Sequence, residues 1–135
     1  MLAHSSCRFC SINDGKFSYG KIDHPIASND NFFVIPSVGA LVEGWTLIVP
    51  RKHVYSMKSF FLDELFVEIV DQTLSALQQI YEKILIFEHG ATHESSLTSC
   101  GTAHAHLHLV PLNESLYDDI EKSGWQWNEC KASEV

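Results

Sequence analysis

The sequence predicts an α+β domain: a mostly antiparallel five-stranded sheet covered by one long helix and one short C-terminal helix. Three observations carry that expectation. Five short apolar runs are separated by clusters of Gly, Pro, Asn, Asp and Ser, the punctuation of strands joined by turns. One long segment repeats apolar residues at spacings of three and four, the period of a helix with one buried face. A shorter helical pattern follows the last strand, and 135 residues is the length of one ordinary domain. The core is expected over 7–112, with 113–135 as a C-terminal helix and tail.

In order, the first strand is expected at 17–21, followed by turn chemistry at Asp23-His24-Pro25 and Ser28-Asn29-Asp30-Asn31. A second strand at 32–35 is stopped by Pro36, and Ser37-Val38-Gly39 turns the chain. The third, 45–49, is almost wholly apolar and runs into Pro50 and the basic cluster Arg51-Lys52-His53. The long helix is expected over 62–82, its stripe including Leu65, Phe66, Ile69 and Val70, with Ser59 as N-cap and Asp63 and Glu64 in the first turn. Its task is to cover a sheet. A buried strand over 84–88 then leads to His89-Gly90, and a loop rich in Ser, Thr and Gly fills 91–102. The last strand is expected over 104–110 and the short helix over 114–122. Trp125 and Trp127 make the tail apolar enough to need a packing partner, its own domain or a second subunit.

Composition narrows the function classes. The chain is 45% hydrophobic and 19% charged, as folded domains are, and carries a formal net charge of -8. Such a chain lacks the broad basic footprint that duplex nucleic acid requires. A phosphate-bearing small ligand remains compatible, because amides and imidazoles in a local site outweigh the global sign. No apolar run is long enough for a membrane helix, and the first residues have no basic region followed by an apolar one, so no membrane partner and a cytoplasmic location are expected.

The chemistry concentrates in His104-Ala105-His106-Leu107-His108-Leu109-Val110. In an extended strand, alternate residues share a face, which sets three imidazoles against an apolar backing of Ala105, Leu107 and Leu109. One reading is an edge strand whose histidines face water. The others are a histidine nucleophile with supporting imidazoles, or a metal site. The loop before it brings small polar residues beside the imidazoles, as an oxyanion site requires. Among four cysteines, Cys7 and Cys10 have the spacing at which two thiolates reach one metal, while Cys100 and Cys130 stand alone. Two imidazoles complete a tetrahedral shell of the kind structural zinc takes. His53 and His104 are the best candidates.

The histidine stretch resembles the signature of the histidine triad (HIT) family, in which three histidines alternate with apolar residues. Two further stretches add to the likeness. Gly44-Trp45-Thr46-Leu47-Ile48-Val49-Pro50-Arg51-Lys52-His53 is similar to the family strand that ends in proline, basic residues and histidine, and Cys7-Arg8-Phe9-Cys10 is similar to the cysteine pair of its zinc-bearing branch. The resemblance implies an enzyme that attacks the α-phosphate of a nucleotide derivative. His106 matches the nucleophile, His108 the histidine that touches the same phosphate, and His104 the one that orients the site. It also implies that His104 closes a structural zinc shell with Cys7, Cys10 and His53, that Gly101, Thr102 and Ala103 hold the oxyanion, and that the protein is a homodimer.

The chain departs from the common family pattern at four places. Ser37 stands at the position nearest the acid that holds the ribose, and Trp45 follows Gly44 where many members have histidine. Glu88-His89-Gly90 replaces an asparagine-bearing strand end, and the serine before the triad falls on Gly101. Two other functions are therefore weighed: a zinc-stabilised nucleotide binder with little turnover, and a hydrolase whose zinc is itself catalytic.

Overall fold

A computed structural model describes residues 7–88, 91, 103–112, 114–124 and 126. The elements run α1 (Arg8–Asn13), β1 (Ala27–Ser28), β2 (Phe32–Pro36), β3 (Thr46–Pro50), α2 (Glu64–Gln78), β4 (Lys83–Phe87), β5 (Leu107–Leu112) and α3 (Glu114–Lys122). Short 3-10 turns occupy Gly20–Asp23 and Met57–Phe60. The sheet has five strands in the order β1-β2-β3-β5-β4, and each pairing is antiparallel. This is the expected α+β architecture. None of the described helices is long and apolar enough to cross a membrane.

The alternation of side chains across the central strands divides the core in two. Phe32, Val34, Ile48, Leu107 and Leu109 face one side, where Phe66, Ile69 and Val70 of α2 cover them. Phe33, Ile35, Leu47 and Val49 face the other, where Phe9 and Ile12 of α1 and Cys7 before it meet them.

Several boundaries differ from expectation, each for a local reason. Residues 17–21 form no strand. Asp23 is fully buried and accepts hydrogen bonds from the Tyr19 backbone N–H and from the Arg8 guanidinium, which draws the chain into a tight turn. The first strand is instead Ala27–Ser28, in a segment whose composition suggests only turns, held by register with Val34 and Phe33. Helix α2 is shorter than 62–82. Asp63 rather than Ser59 is its N-cap, accepting from the N–H groups of Leu65 and Phe66 at 2.8 and 3.2 Å. Leu62 and Ile80, apolar residues that extended the periodic stripe, lie outside the helix and are exposed. The expected strand over 104–110 begins at Leu107, so His104 and His106 precede it in irregular chain. Strand β5 lies between β3 and β4, which rules out an edge strand with solvated histidines.

Candidate functional site

Four donor atoms converge where α1 meets the ends of β3 and β5. Cys7 is the N-cap of α1, its sulfur accepting from the Cys10 N–H, so the first helical turn brings both sulfurs to one side. His53 lies three residues beyond the end of β3 and His104 three before the start of β5. Cys7 Sγ is 3.4 Å from His104 Nδ1, and Cys10 Sγ is 3.2 Å from His53 Nδ1 and 3.6 Å from His104 Nδ1. All four ligand atoms lie within 4.8 Å of one another.

Hydrogen-bond chemistry decides what this cluster is suited to hold. His104 Nε2 lies 2.8 Å from the Pro50 carbonyl, which only accepts, so Nε2 carries the proton and Nδ1 presents its lone pair to the sulfurs. Cys7 and Cys10 both approach the His104 lone pair, and Cys10 also meets His53 Nδ1, so S–H···N bonds serve these groups only in pairs, whereas a central cation engages all four donors at once. An ion bonded to thiolate at about 2.3 Å and to imidazole at about 2.0–2.1 Å holds such donors about 3.6 Å apart at the tetrahedral angle. The observed separations of 3.2, 3.4 and 3.6 Å fit that spacing. The Cys2His2 donor set also suits zinc chemically.

His106 and His108 stand beside the cluster, and both are buried. His106 Nδ1 lies 2.8 Å from the His104 carbonyl and must donate to it, so in the neutral ring Nε2 bears the lone pair. Phe9 sets its ring edge-on against both His104 and His106, at centroid distances of 5.5 and 5.2 Å. The His106 and His108 rings are 4.8 Å apart. His108 is opposite Phe87 in the β4–β5 ladder, and their rings stack at 4.6 Å and 5°. The indole N–H of Trp45 meets His108 Nδ1 at 3.0 Å.

Trp45 reaches that position through a crowded turn. Gly44 has φ +81, and a Cβ there would come within 2.6 Å of the Tyr81 ring and 2.9 Å of Pro111. The Tyr81 hydroxyl donates to Glu43 at 2.9 Å, and that hydrogen bond to a carboxylate raises the phenol pKa above its ordinary 10.0. Only glycine suits this bend.

The remaining expected site residues fall out as follows. Ser37 sits just beyond β2, its backbone N–H donating to the Trp45 carbonyl at 3.0 Å. Glu88 follows β4, and its carboxylate accepts from the Met57 N–H at 2.8 Å. Ala103 is half-buried beside His104. His89, Gly101 and Thr102 lie outside the described residues, as do Cys100, Cys130, Trp125 and Trp127. Phe9, the Pro50 carbonyl, Phe87 and the Trp45–His108 contact go beyond the sequence expectations. Only Trp45 carries a signal in the sequence, as a departure from a familiar pattern.

No family model matches the chain. Its sequence is 30% identical over 120 residues to an uncharacterised HIT-like protein of Mycoplasma genitalium, an alignment covering 82% of this chain and 76% of the relative. Its fold is similar to the crystal structure of a HIT family protein from Bacillus anthracis, with a TM-score of 0.62 at 19% identity, over 91% of this chain and 82% of that one. It is also similar to a zinc-bound histidine triad family protein from Mycobacterium smegmatis, with a TM-score of 0.51 at 20% identity, over 82% and 77% of the two chains.

Proposed function

The chain belongs to the histidine triad family, and from that premise we propose that it is a nucleotide hydrolase or nucleotidyl transferase with His106 as its nucleophile. Its substrate is a nucleotide derivative activated at the α-phosphate, a dinucleoside polyphosphate or a nucleoside phosphoramidate. The observation that carries this reading is the His106 Nδ1 bond to the His104 carbonyl, which leaves the lone pair of the neutral ring on Nε2. That lone pair attacks the α-phosphorus. The bond from phosphorus to the leaving group breaks, its electron pair departs with the leaving group, and a proton follows. Water then attacks the nucleotidyl-histidine, the N–P electrons return to Nε2, and the water proton is released, giving the nucleoside monophosphate. Transfer to another hydroxyl acceptor follows the same course.

In this reading His108 contacts the phosphate and His104 orients the site. Amides of Gly101, Thr102 and Ala103 stabilise the oxyanion. Ser37 takes the ribose-binding position, and Glu88, anchored by Met57, acts with His89 at the substrate-binding end of β4. Cys7, Cys10, His53 and His104 hold a structural zinc, which ties α1 to the ends of β3 and β5 and takes no part in the displacement. The protein acts as a cytoplasmic homodimer; a light-scattering mass near the 15.2 kDa of one chain removes the dimer.

The test compares wild type with His106→Ala and His106→Gly, by intact mass and by turnover on dinucleoside polyphosphates and nucleoside 5′-phosphoramidates. Adduct and turnover are expected to vanish in both variants while the fold persists. Turnover that survives loss of the imidazole overturns the covalent mechanism. Tight nucleotide binding without turnover in the wild type assigns the site to a binder. Chelation distinguishes the role of the metal: activity is expected to decay as the fold loosens, whereas an immediate loss in a still-folded protein marks a catalytic metal.

A further inference from the structure

We propose that Trp45 is the positioning residue of the third histidine, fixing His108 in the tautomer that presents Nε2–H to the substrate phosphate. The indole nitrogen has one proton and no available lone pair, so it only donates. At 3.0 Å from His108 Nδ1, it makes that nitrogen an acceptor. In the neutral ring the proton then resides on Nε2. His106 is held the other way, with Nδ1–H on the His104 carbonyl and, in the neutral ring, an unprotonated Nε2. The two imidazoles, 4.8 Å apart, therefore carry opposite tautomers. One offers a lone pair for phosphorus and the other a proton for a phosphoryl oxygen.

The ring plane is fixed as well as the tautomer. Phe87 stacks on one face of His108 with only 5° between the rings, while the indole holds its edge. Trp45 is itself held by the turn at Gly44, where Tyr81 and Pro111 leave no room for a side chain. A histidine at position 45 would donate or accept according to its own tautomer, leaving that of His108 open. Tryptophan removes that freedom. With the opposite tautomer, a lone pair of His108 would face the phosphate oxygen and repel it.

The catalytic consequence rests on the reading of His106 as nucleophile; the tautomer does not, so the two are tested separately. The first measurement is the 15N spectrum of the imidazoles in the wild type, labelled at histidine, at a pH where His108 is neutral. Nδ1 of His108 is expected unprotonated and Nε2 protonated; a protonated Nδ1 overturns the proposal without any variant having to fold. Trp45→Phe keeps an aromatic ring and removes the donor. It is expected to give His108 a mixture of tautomers and to lower kcat about tenfold, the effect of losing one hydrogen bond, with KM within about twofold. Trp45→His, which keeps a possible donor, is expected to restore part of kcat. An unchanged tautomer in a folded Trp45→Phe protein, or an unchanged kcat, overturns the positioning role. If the wild type turns over no nucleotide substrate but the tautomer still shifts in Trp45→Phe, the proposed reaction fails while the assignment of Trp45 to His108 stands.

Discussion

The two faces of the sheet are secured by different means. On one, the long helix α2 lays Phe66, Ile69 and Val70 over Ile48, Leu107 and Leu109, and ordinary apolar burial is sufficient. On the other, the covering helix α1 has only six residues, too few to be stable from its own hydrogen bonds. It is held by Cys7 and Cys10 against His53 and His104, by Arg8 on buried Asp23, and by Phe9 against two imidazoles. The imidazoles of the proposed site lie on the second face. The helix-covered face serves as a rigid base, while the face built from short segments can bring unlike side chains together. Alternation in one short stretch serves both: Ala105, Leu107 and Leu109 go to the base, and the three histidines to the site.

The strongest challenge to that contrast is Phe66→Ala. It removes a fully buried ring from the α2 face and is expected to cost about 3–5 kcal/mol in denaturant unfolding, leaving bound metal per folded chain unchanged. Loss of metal in the folded fraction would show that the faces are not independent. Cys10→Ser attacks the other face. The expected result is lower metal content by elemental analysis and faster amide exchange in Arg8–Asn13, with exchange in α2 little changed. Gly44→Ala probes the turn that supports Trp45; left-handed backbone and a blocked Cβ site predict a loss of about 1–3 kcal/mol, read as a lowered denaturant midpoint. The smallest effect is a gain. Thr46, in register with Leu109, buries a hydroxyl that has no hydrogen-bond partner among the described residues. Thr46→Val keeps the shape and is expected to raise stability by about 1 kcal/mol in the same measurement.

The central strands and the long helix are more legible from sequence than the short helix and the contacts of the site face. Phe32 to Ile35 and Leu47 to Val49 are continuous apolar runs, and the stripe through Phe66, Ile69 and Val70 carries a helical period, so strand and helix follow from short windows. Helix α1 has no such period, since its stability comes from the Cys7 cap and from partners far along the chain. The segment after it looks like a strand because Phe17 and Tyr19 alternate with polar residues, but burial of Asp23 overrides that preference. Metal-ligand spacing exposes Cys7 and Cys10 as a pair, and the basic strand end offers His53. The hydrogen bond from Trp45 to His108 is different: it requires the pairing of β3 with β5, which no window of sequence contains.

The cluster also bears on the order of folding. Cys7 and His104 are 97 residues apart, and Cys10 and His53 are 43 apart, so joining them closes loops that span most of the domain. Before the sheet forms, Cys7 and Cys10 are the two members of the set that lie near each other along the chain. The full donor set exists once β3 and β5 are paired and the ends of both strands lie side by side. If the cluster takes up zinc as proposed, capture is expected late, as a latch that closes on a sheet already assembled, and its rate would report when that assembly is complete.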